Sequence, residues 1–265
     1  MKSFYRWISE HGILCRLVIL LGLTAFTIWS ATLPYVSFLA VYLVDIFIWV
    51  VATRLIATAP GKLLQEPLDI MNQQCDPYPF LEETKQQLSR HFQGPQQQLN
   101  EINYATALRM IGDNYKAAEI LESLNIDRFP GTTPYIKFVY YNSLTDVLFA
   151  LDRTAEGVIW LRKALMIYRD LPENKIKQQY AHTCELLEAE GMYHQKEYTQ
   201  ALQKAAWIKC ESTRTLLDAA LLAAKCHIAL DEPEKAREKL QYVLDHGNRL
   251  HIAEEARLLL ETLSA

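Results

Sequence analysis

The chain has few glycines, and none of them forms a phosphate-binding motif. Only nine occur among 265 residues, and no two share a Gly-x-Gly pattern, so a Gly-rich phosphate loop is absent. The Gly-x-Ser-x-Gly elbow and the His-Glu-x-x-His helix are missing as well. Glu190 and His194 lie one turn apart, as an acid–base pair would, but such polar pairs are common on exposed helices. We therefore expect no enzyme activity and no cofactor.

Cysteine is also scarce, and its spacing argues against both disulfides and zinc. The five cysteines are an odd number, contain no Cys-x-x-Cys motif and stand in a chain too long to need a disulfide framework. We expect buried free thiols in a reducing compartment. His182 and Cys184 point to opposite faces of a helix, so they make no metal-binding pair, and we expect no metal site. The cysteines are Cys15, Cys75, Cys184, Cys210 and Cys226.

Clustered positive charge is the third absence. The chain has 27 Lys and Arg residues and 31 Asp and Glu residues. Four of the basic residues and two of the acidic residues precede residue 60. Residues 60–265 therefore carry 23 basic against 29 acidic side chains, a formal charge of −6, with no basic run. Nucleic-acid binding needs a clustered positive face, so we expect no nucleic-acid partner.

The N-terminal region, by contrast, contains long apolar runs. Between Ile13 and Ala59 the only charged residues are Arg16, Asp45 and Arg54. Two runs, about 13–33 and 35–56, each approach the ~20 residues that a helix needs to cross a bilayer, and Pro34 separates them. Residues 1–58 are thus predicted to form a transmembrane hairpin. One span with one interfacial helix is the main alternative.

A cleaved signal peptide does not explain the first run. Ile28 and Trp29 occupy places where a cleavage site needs small residues, and the second run would remain unexplained. Trp7, Trp29 and Tyr35 lie near predicted helix ends, as interfacial aromatic residues do.

The orientation follows from the flanking positive charges. Lys2, Arg6 and Arg16 precede or begin the first span, Arg54 and Lys62 flank the end of the second, and the turn between the spans has none. The rule that positive charge stays inside therefore places both termini in the cytoplasm, with two spans in the cell membrane.

Asp45 falls near the middle of the second span. An ionisable side chain is costly at that depth and is by default a functional candidate. It can also serve as structural glue, paired with Thr24 or Thr27 of the neighbouring span or with a partner subunit. No second charged residue lies at a similar depth, which argues against an ion pathway.

A linker is predicted between the hairpin and the rest of the chain, over residues 59–96. Pro60-Gly61 is expected to end the second span, and further prolines punctuate the segment. Asp76-Pro77 is typical of a helix start, and Phe80 to Phe92 is predicted to be one short amphipathic helix.

Beyond residue 97, small residues recur in pairs twelve positions apart. Small residues let two antiparallel helices approach closely, and a fixed offset predicts one turn geometry for every helix pair. The pairs are Ala105/Ala117, Thr145/Gly157, Ala189/Ala201 and Ala224/Ala236. The predicted turns are 112–114, 152–154, 195–197 and 231–233. A last amphipathic segment, Leu250 to Leu263, is predicted to cap the array.

Three of these turns resemble the tetratricopeptide (TPR) repeat family. They read Gly112-Asp113-Asn114-Tyr115-Lys116-Ala117, Lys196-Glu197-Tyr198-Thr199-Gln200-Ala201 and Asp231-Glu232-Pro233-Glu234-Lys235-Ala236. The resemblance covers about residues 98–250, although the repeats are 40, 44 and 35 residues apart where the family repeats every ~34. It implies an all-α chain whose residues 97–265 form a TPR-like α-solenoid of about four helix pairs with a C-terminal capping helix.

The resemblance also implies a concave groove lined by the first helix of each pair. The expected protein-binding residues are Asn103, Arg109, Asn142, Asp146, Phe149, Glu190, Tyr193, His194 and Lys225. Part of the family captures a peptide carboxylate in this groove. Here only Asn103, Arg109, Asn142 and Lys225 are of the residue types that such carboxylate binding uses, and their spacing does not match that of the family.

Two functions remain open from the sequence. In the first, the chain is a membrane-anchored TPR-like scaffold or adaptor that binds a protein or peptide partner at the cytoplasmic membrane face. In the second, it is a small accessory subunit of an integral membrane complex, and Asp45 in the hairpin makes the key contact.

Overall fold

A computed structural model describes residues 2–33, 37–90, 94–128 and 130–264. Within these ranges the chain is all-helical and contains no strand, which confirms the predicted fold class at that level. The chain divides into two compact units, Met1–Glu66 and Pro67–Ala265.

The first unit contains the two long apolar helices that the sequence predicts. A short helix, α1 (Lys2–Glu10), precedes α2 (Gly12–Ser30) and α3 (Phe38–Gln74). By length and composition α2 and α3 are both able to cross a membrane. None of the most apolar stretch of α2 is buried, and only 11% of that of α3. The predicted turn at Pro34 and Tyr35 lies outside the described residues.

Helix α3 does not end at Pro60-Gly61, contrary to the sequence-based expectation. It continues through Pro60 and Pro67 and ends at Gln74, a length of 37 residues or about 55 Å. A proline removes one helical hydrogen bond and crowds the preceding turn. Ala59, Leu63 and Met71 of α3 are buried, and their packing offsets that loss.

The segment expected to be a linker is therefore mostly helical. After α3 comes α4 (Tyr78–Ser89), close to the amphipathic helix predicted for 80–92, although Phe92 itself lies outside the described residues. The Asp76 carboxylate accepts the Tyr78 N–H at 3.1 Å, while Pro77 occupies the N-cap position that the sequence assigned to Asp76.

Paired helices make up the rest of the second unit. They are α5 (Pro95–Met110), α6 (Asn114–Ser123), α7 (Pro134–Ala150), α8 (Thr154–Asp170), the short α9 (Lys175–Gln179), α10 (Ala181–His194), α11 (Tyr198–Trp207), α12 (Thr213–Ala229), α13 (Pro233–His246) and α14 (His251–Ser264). Extensive contacts join α5 to α6, α7 to α8, α10 to α11 and α12 to α13. Contacts of similar extent join α4 to α5, α11 to α12 and α13 to α14.

The four turns inside these pairs share one backbone geometry. The residue at the centre of each turn has a positive φ: +88° at Gly112, +58° at Asp152, +65° at Lys196 and +59° at Asp231. The N–H of the next residue donates at 2.9 Å to the carbonyl five positions back, on Leu108, Leu148, Met192 and His227. This pattern is the Schellman ending of a helix, and it occurs at the turns that the sequence predicts.

The small residues that carry the repeat pattern are all buried. Seven of the eight have no solvent exposure, and Gly157 is buried as well. Ala105 and Ala117 lie in one core cluster, and Ala189 and Ala201 in another. The close approach of paired helices that the pattern predicts is therefore present.

Replacing Ala201 with leucine should destabilise the protein by about 1–3 kcal/mol, because the larger side chain overpacks the core between α11 and its neighbours. Ala206, on the exposed face of the same helix, provides the matched control. Chemical denaturation of the full chain should show a lower midpoint for Ala201→Leu and an almost unchanged one for Ala206→Leu. Equal midpoints would contradict the assigned packing.

The end of the helix array meets its beginning. Helix α14 was expected to cap the array, but it also packs against α5 at the other end. Nearby, Asn248 donates to the carbonyl of Gln74 at 2.8 Å, and the Arg249 guanidinium lies 3.9 Å over the ring of Tyr78. Arg214 donates to the Asn72 side chain at 3.0 Å. The two ends of the helix array are therefore in contact.

Candidate functional site

A cavity of the second unit lies between its inward-facing helices. It has a volume of about 440 Å³ and is lined by α5, α7, α10 and α12, the first helix of each pair, together with α14. Arg109, Asp146, Glu190, Lys225 and Glu255 come from these five helices in that order. The helical period places each of them on the face that turns inward.

The structure brings together eight of the nine predicted groove residues. Arg109, Asn142, Asp146, Phe149, Glu190, Tyr193, His194 and Lys225 all line the cavity. Asn103 does not: it is half-buried on α5 and lies outside the lining. Whether these side chains bind a partner stays a prediction.

Three basic side chains of the cavity each have an acidic partner. Arg109 pairs with Asp146 at 3.2 Å, Arg214 with Asp218 at 2.9 Å, and Lys225 with Glu255 at 2.5 Å. Burial acts to lower the pKa of Arg109, but four carboxylates outweigh it and the pKa is raised. Burial likewise acts to raise the pKa of Glu255, but attraction to Lys225 outweighs it and the pKa is lowered. Burial raises the pKa of Asp218, by contrast, although the Arg214 charge acts to lower it.

Glu190 is an acidic residue of an inward-facing helix that has no such partner. It makes no hydrogen bond or ion pair with any residue in the described part of the chain. Part of its side chain remains open to the cavity, although protein otherwise surrounds it. Burial, with Asp146 and Asp218 nearby, raises the pKa of Glu190 to about 8. The carboxyl group is therefore poised to change charge near neutral pH.

An aromatic stack forms another part of the wall. The His194 ring stacks on Phe149 with 3.9 Å between ring centroids. Burial and the nearby Lys225 charge lower the pKa of His194 to about 4, so its imidazole is neutral at physiological pH. Gly157 leaves room for this stack, since a Cβ there would meet the Phe149 ring at 2.5 Å.

Sequence reasoning missed several lining residues. Arg214 and Asp218 lie eleven and seven positions before Lys225 on α12, so the helical period could have found them. Glu255 and His251 belong to α14, which was treated as a cap, and nothing in the local sequence signals that it turns inward.

The cysteines take no part in the cavity. All five are free, and Cys75, Cys184 and Cys226 are buried. Burial raises the pKa of Cys184 to about 12 and those of Cys75 and Cys226 to about 11, which makes these thiols unreactive. Across residues 2–33, 37–90, 94–128 and 130–264, no group of three or more His, Cys, Asp or Glu side chains is placed to hold a metal ion.

In the structure, Asp45 forms a hydrogen bond with one of the two threonine side chains that were predicted as its partners. The hydroxyl of Thr27 donates to Asp45 Oδ2, whereas Thr24 donates to the carbonyl of Leu20 in its own helix. Asp45 Oδ1 is buried and accepts no hydrogen bond from the residues that are described. The carboxyl group thus links α2 to α3 and keeps one acceptor unused.

Comparison with protein-family models, with curated proteins and with solved structures found no match to this chain.

Proposed function

We propose that the chain is a membrane-anchored scaffold or adaptor whose TPR-like helical repeat domain binds a protein or peptide partner at the cytoplasmic membrane face. The observation that carries the proposal is the cavity of about 440 Å³, lined by charged and aromatic side chains from the first helix of every pair. A volume of this size is typical of a ligand site. A cavity of this size has room for a chain terminus or a few side chains, but not for a folded domain.

The TPR-like arrangement has two supports. Four turns repeat the same Schellman geometry, and every pair of helices buries its small residues at the same offset. A repeat array that turns its first helices inward offers a surface lined by several successive repeats, which suits partner binding.

The membrane anchor is supported by the exposed apolar surface of α2 and α3. Large side chains such as Ile13, Leu21, Phe38 and Phe47 are more than half exposed, and water penalises such a surface. A bilayer accommodates it, and the positive charges at Lys2, Arg6 and Arg16 favour cytoplasmic termini. Anchoring raises the effective concentration of a partner near the membrane.

Site-specific photocrosslinking in the full chain tests the proposal in the cells that produce it. A photoreactive residue at Asn142 reports on the cavity, one at Ile159 on the outer surface of α8, and one at Phe47 on the apolar face of α3. The proposal expects one protein to be crosslinked from Asn142 and not from Ile159. Crosslinking from Phe47 alone would overturn it in favour of the second candidate.

That second candidate is an accessory subunit of an integral membrane complex, with Asp45 at the contact. The unused buried acceptor on Asp45 favours it, since an unsatisfied carboxylate oxygen is costly in an apolar environment. A donor from another subunit's helix would satisfy it.

If this candidate is correct, Asp45→Asn and Asp45→Leu should both release the chain from its complex while the helical content stays unchanged. Thr24→Val, whose hydroxyl bonds only within its own helix, is the matched control and should leave the complex intact. Native gels of membrane extracts measure the outcome. A complex that survives both Asp45 substitutions would exclude this role.

A further inference from the structure

The charges that line the cavity do not balance. Apart from the exposed turn residue Asp152, the lining holds three cations and four carboxyl groups. The cations are Arg109, Arg214 and Lys225, and the carboxyl groups are Asp146, Glu190, Asp218 and Glu255. Each cation is within 3.2 Å of one carboxylate, and Glu190 is left over.

Among the described residues that line this cavity, no cation is free to meet an anionic ligand. A bound carboxylate or phosphate would have to displace Asp146 from Arg109, Asp218 from Arg214 or Glu255 from Lys225. Each displacement would leave a part-buried carboxylate without its partner, and that cost works against the new contact. The unpaired group that the cavity offers is a carboxyl group, which when ionised carries a negative charge and accepts hydrogen bonds.

We propose that the cavity binds a primary ammonium group of its ligand at Glu190. This inference rests on the proposed function and names the chemistry of the partner segment. An ammonium donates up to three hydrogen bonds and is compact enough to enter with a short chain behind it. The amino terminus of a peptide and a lysine side chain supply the same group.

Other features of the wall suit such a ligand. Tyr193, on the same helix as Glu190, lines the cavity, and an aromatic ring attracts a nearby cation. Asn142 and Thr183 add neutral polar groups that can meet a peptide backbone. The neutral His194 does not oppose the incoming charge.

The test uses the purified full chain and four probes in titration calorimetry. The probes are the amide Ala-Ala-Ala-NH₂ with a free amino terminus, its N-acetylated form, N-acetyl-Ala-Lys-Ala-NH₂ and spermidine. The two ammonium peptides should bind about tenfold or more tightly than the acetylated alanine peptide, as expected for a hydrogen bond between charged groups. Comparing the first and third probes separates an amino terminus from a lysine side chain.

Glu190→Gln is the variant that isolates the effect, because it keeps the size of the side chain and removes the charge. It should abolish the preference for ammonium peptides. Glu188→Gln, on the same helix but paired with Lys204 outside the cavity, should retain it. Glu190→Gln should also melt no lower than the wild type at pH 8, because burial opposes ionisation of Glu190.

The preference should also depend on pH. A lysine ammonium stays charged to about pH 10 and an amino terminus to about pH 8, whereas the Glu190 carboxyl ionises as the pH rises towards 8. Affinity for the ammonium peptides should therefore increase by about tenfold or more between pH 6 and pH 8. The groups that face Glu190 are Arg109 from α5, Asp146 from α7, Asp218 and Lys225 from α12 and Glu255 from α14, with His194 on its own helix. The pH dependence should vanish in Glu190→Gln.

The outcomes separate this inference from the proposed function. Equal binding of free and acetylated peptides, unchanged in Glu190→Gln, would overturn the ammonium site and leave peptide binding standing. Binding of spermidine with the predicted Glu190 dependence, but of no peptide, would support the ammonium site and contradict the adaptor function. No binding of any probe tighter than about 10 mM would overturn the site.

Discussion

Replacing Gly112 with alanine should lower the free energy of unfolding by about 2–5 kcal/mol. Gly112 has φ +88°, where a β-carbon costs about 1–2 kcal/mol. A β-carbon there would also meet the ring of His251 at 2.5 Å, where α14 packs against α5. The ring must move, which adds about 1–3 kcal/mol. Denaturation of the full chain measures the sum.

The equivalent turns separate these two costs. Asp152, Lys196 and Asp231 hold the same turn position with a β-carbon and positive φ, so the turn itself accepts one. Lys196→Ala should therefore leave stability almost unchanged. Adding His251→Ala to Gly112→Ala should restore the steric part and leave about 1 kcal/mol. If the double variant is no more stable than Gly112→Ala, the contact between α14 and α5 is wrongly placed.

Replacing Arg109 with methionine should cost about 3 kcal/mol, the lower end of the range for breaking a buried ion pair. Arg109 has only 13% of its side chain exposed, and Asp146, Asp218, Glu190 and Glu255 all act on it. Without it, only Arg214 and Lys225 offset four carboxyl groups. The loss should be greatest near pH 8 and should shrink towards pH 5, because the Glu190 carboxyl, with a pKa raised to about 8, then takes up its proton.

Two companion variants make the Arg109 result specific. Arg109→Met combined with Asp146→Asn removes both charges of the pair and should recover much of the loss. Arg153→Met removes a surface arginine that has two carboxylate partners, Glu122 and Glu156, and should barely change the melting temperature. A loss in Arg109→Met that is independent of pH would show that packing, and not charge, is responsible.

The local features of the second unit could be predicted from the sequence. The four turns follow from short-range signals, because a Schellman ending and a buried small residue are each set within one or two helical turns. The same helical period placed Arg109, Asp146, Glu190 and Lys225 on inward faces. These positions needed no knowledge of how successive helix pairs are rotated.

The remaining features depend on long-range packing. The meeting of α14 with α5 results from small rotations between successive pairs, which add up along the array and have no local signature. For that reason α14 was taken for a cap, and Glu255 and His251 were missed. Helix α3 was expected to stop at Pro60 because proline usually breaks a helix. The packing of buried neighbours such as Ala59 and Leu63 keeps this segment helical. Asn103 was misplaced because the lining of α5 begins only at Thr106.

The meeting of the two ends changes how the second unit should fold. In an open repeat array each repeat contacts only its neighbours, so terminal helices fray first and folding can start anywhere. Here hydrogen bonds join residues 142 and 174 positions apart, Asn72 to Arg214 and Gln74 to Asn248. Such distant contacts raise the contact order and slow folding. They also tie the terminal helices to each other. Protection from amide exchange should therefore be lost from the first and last helices together, in a single cooperative step.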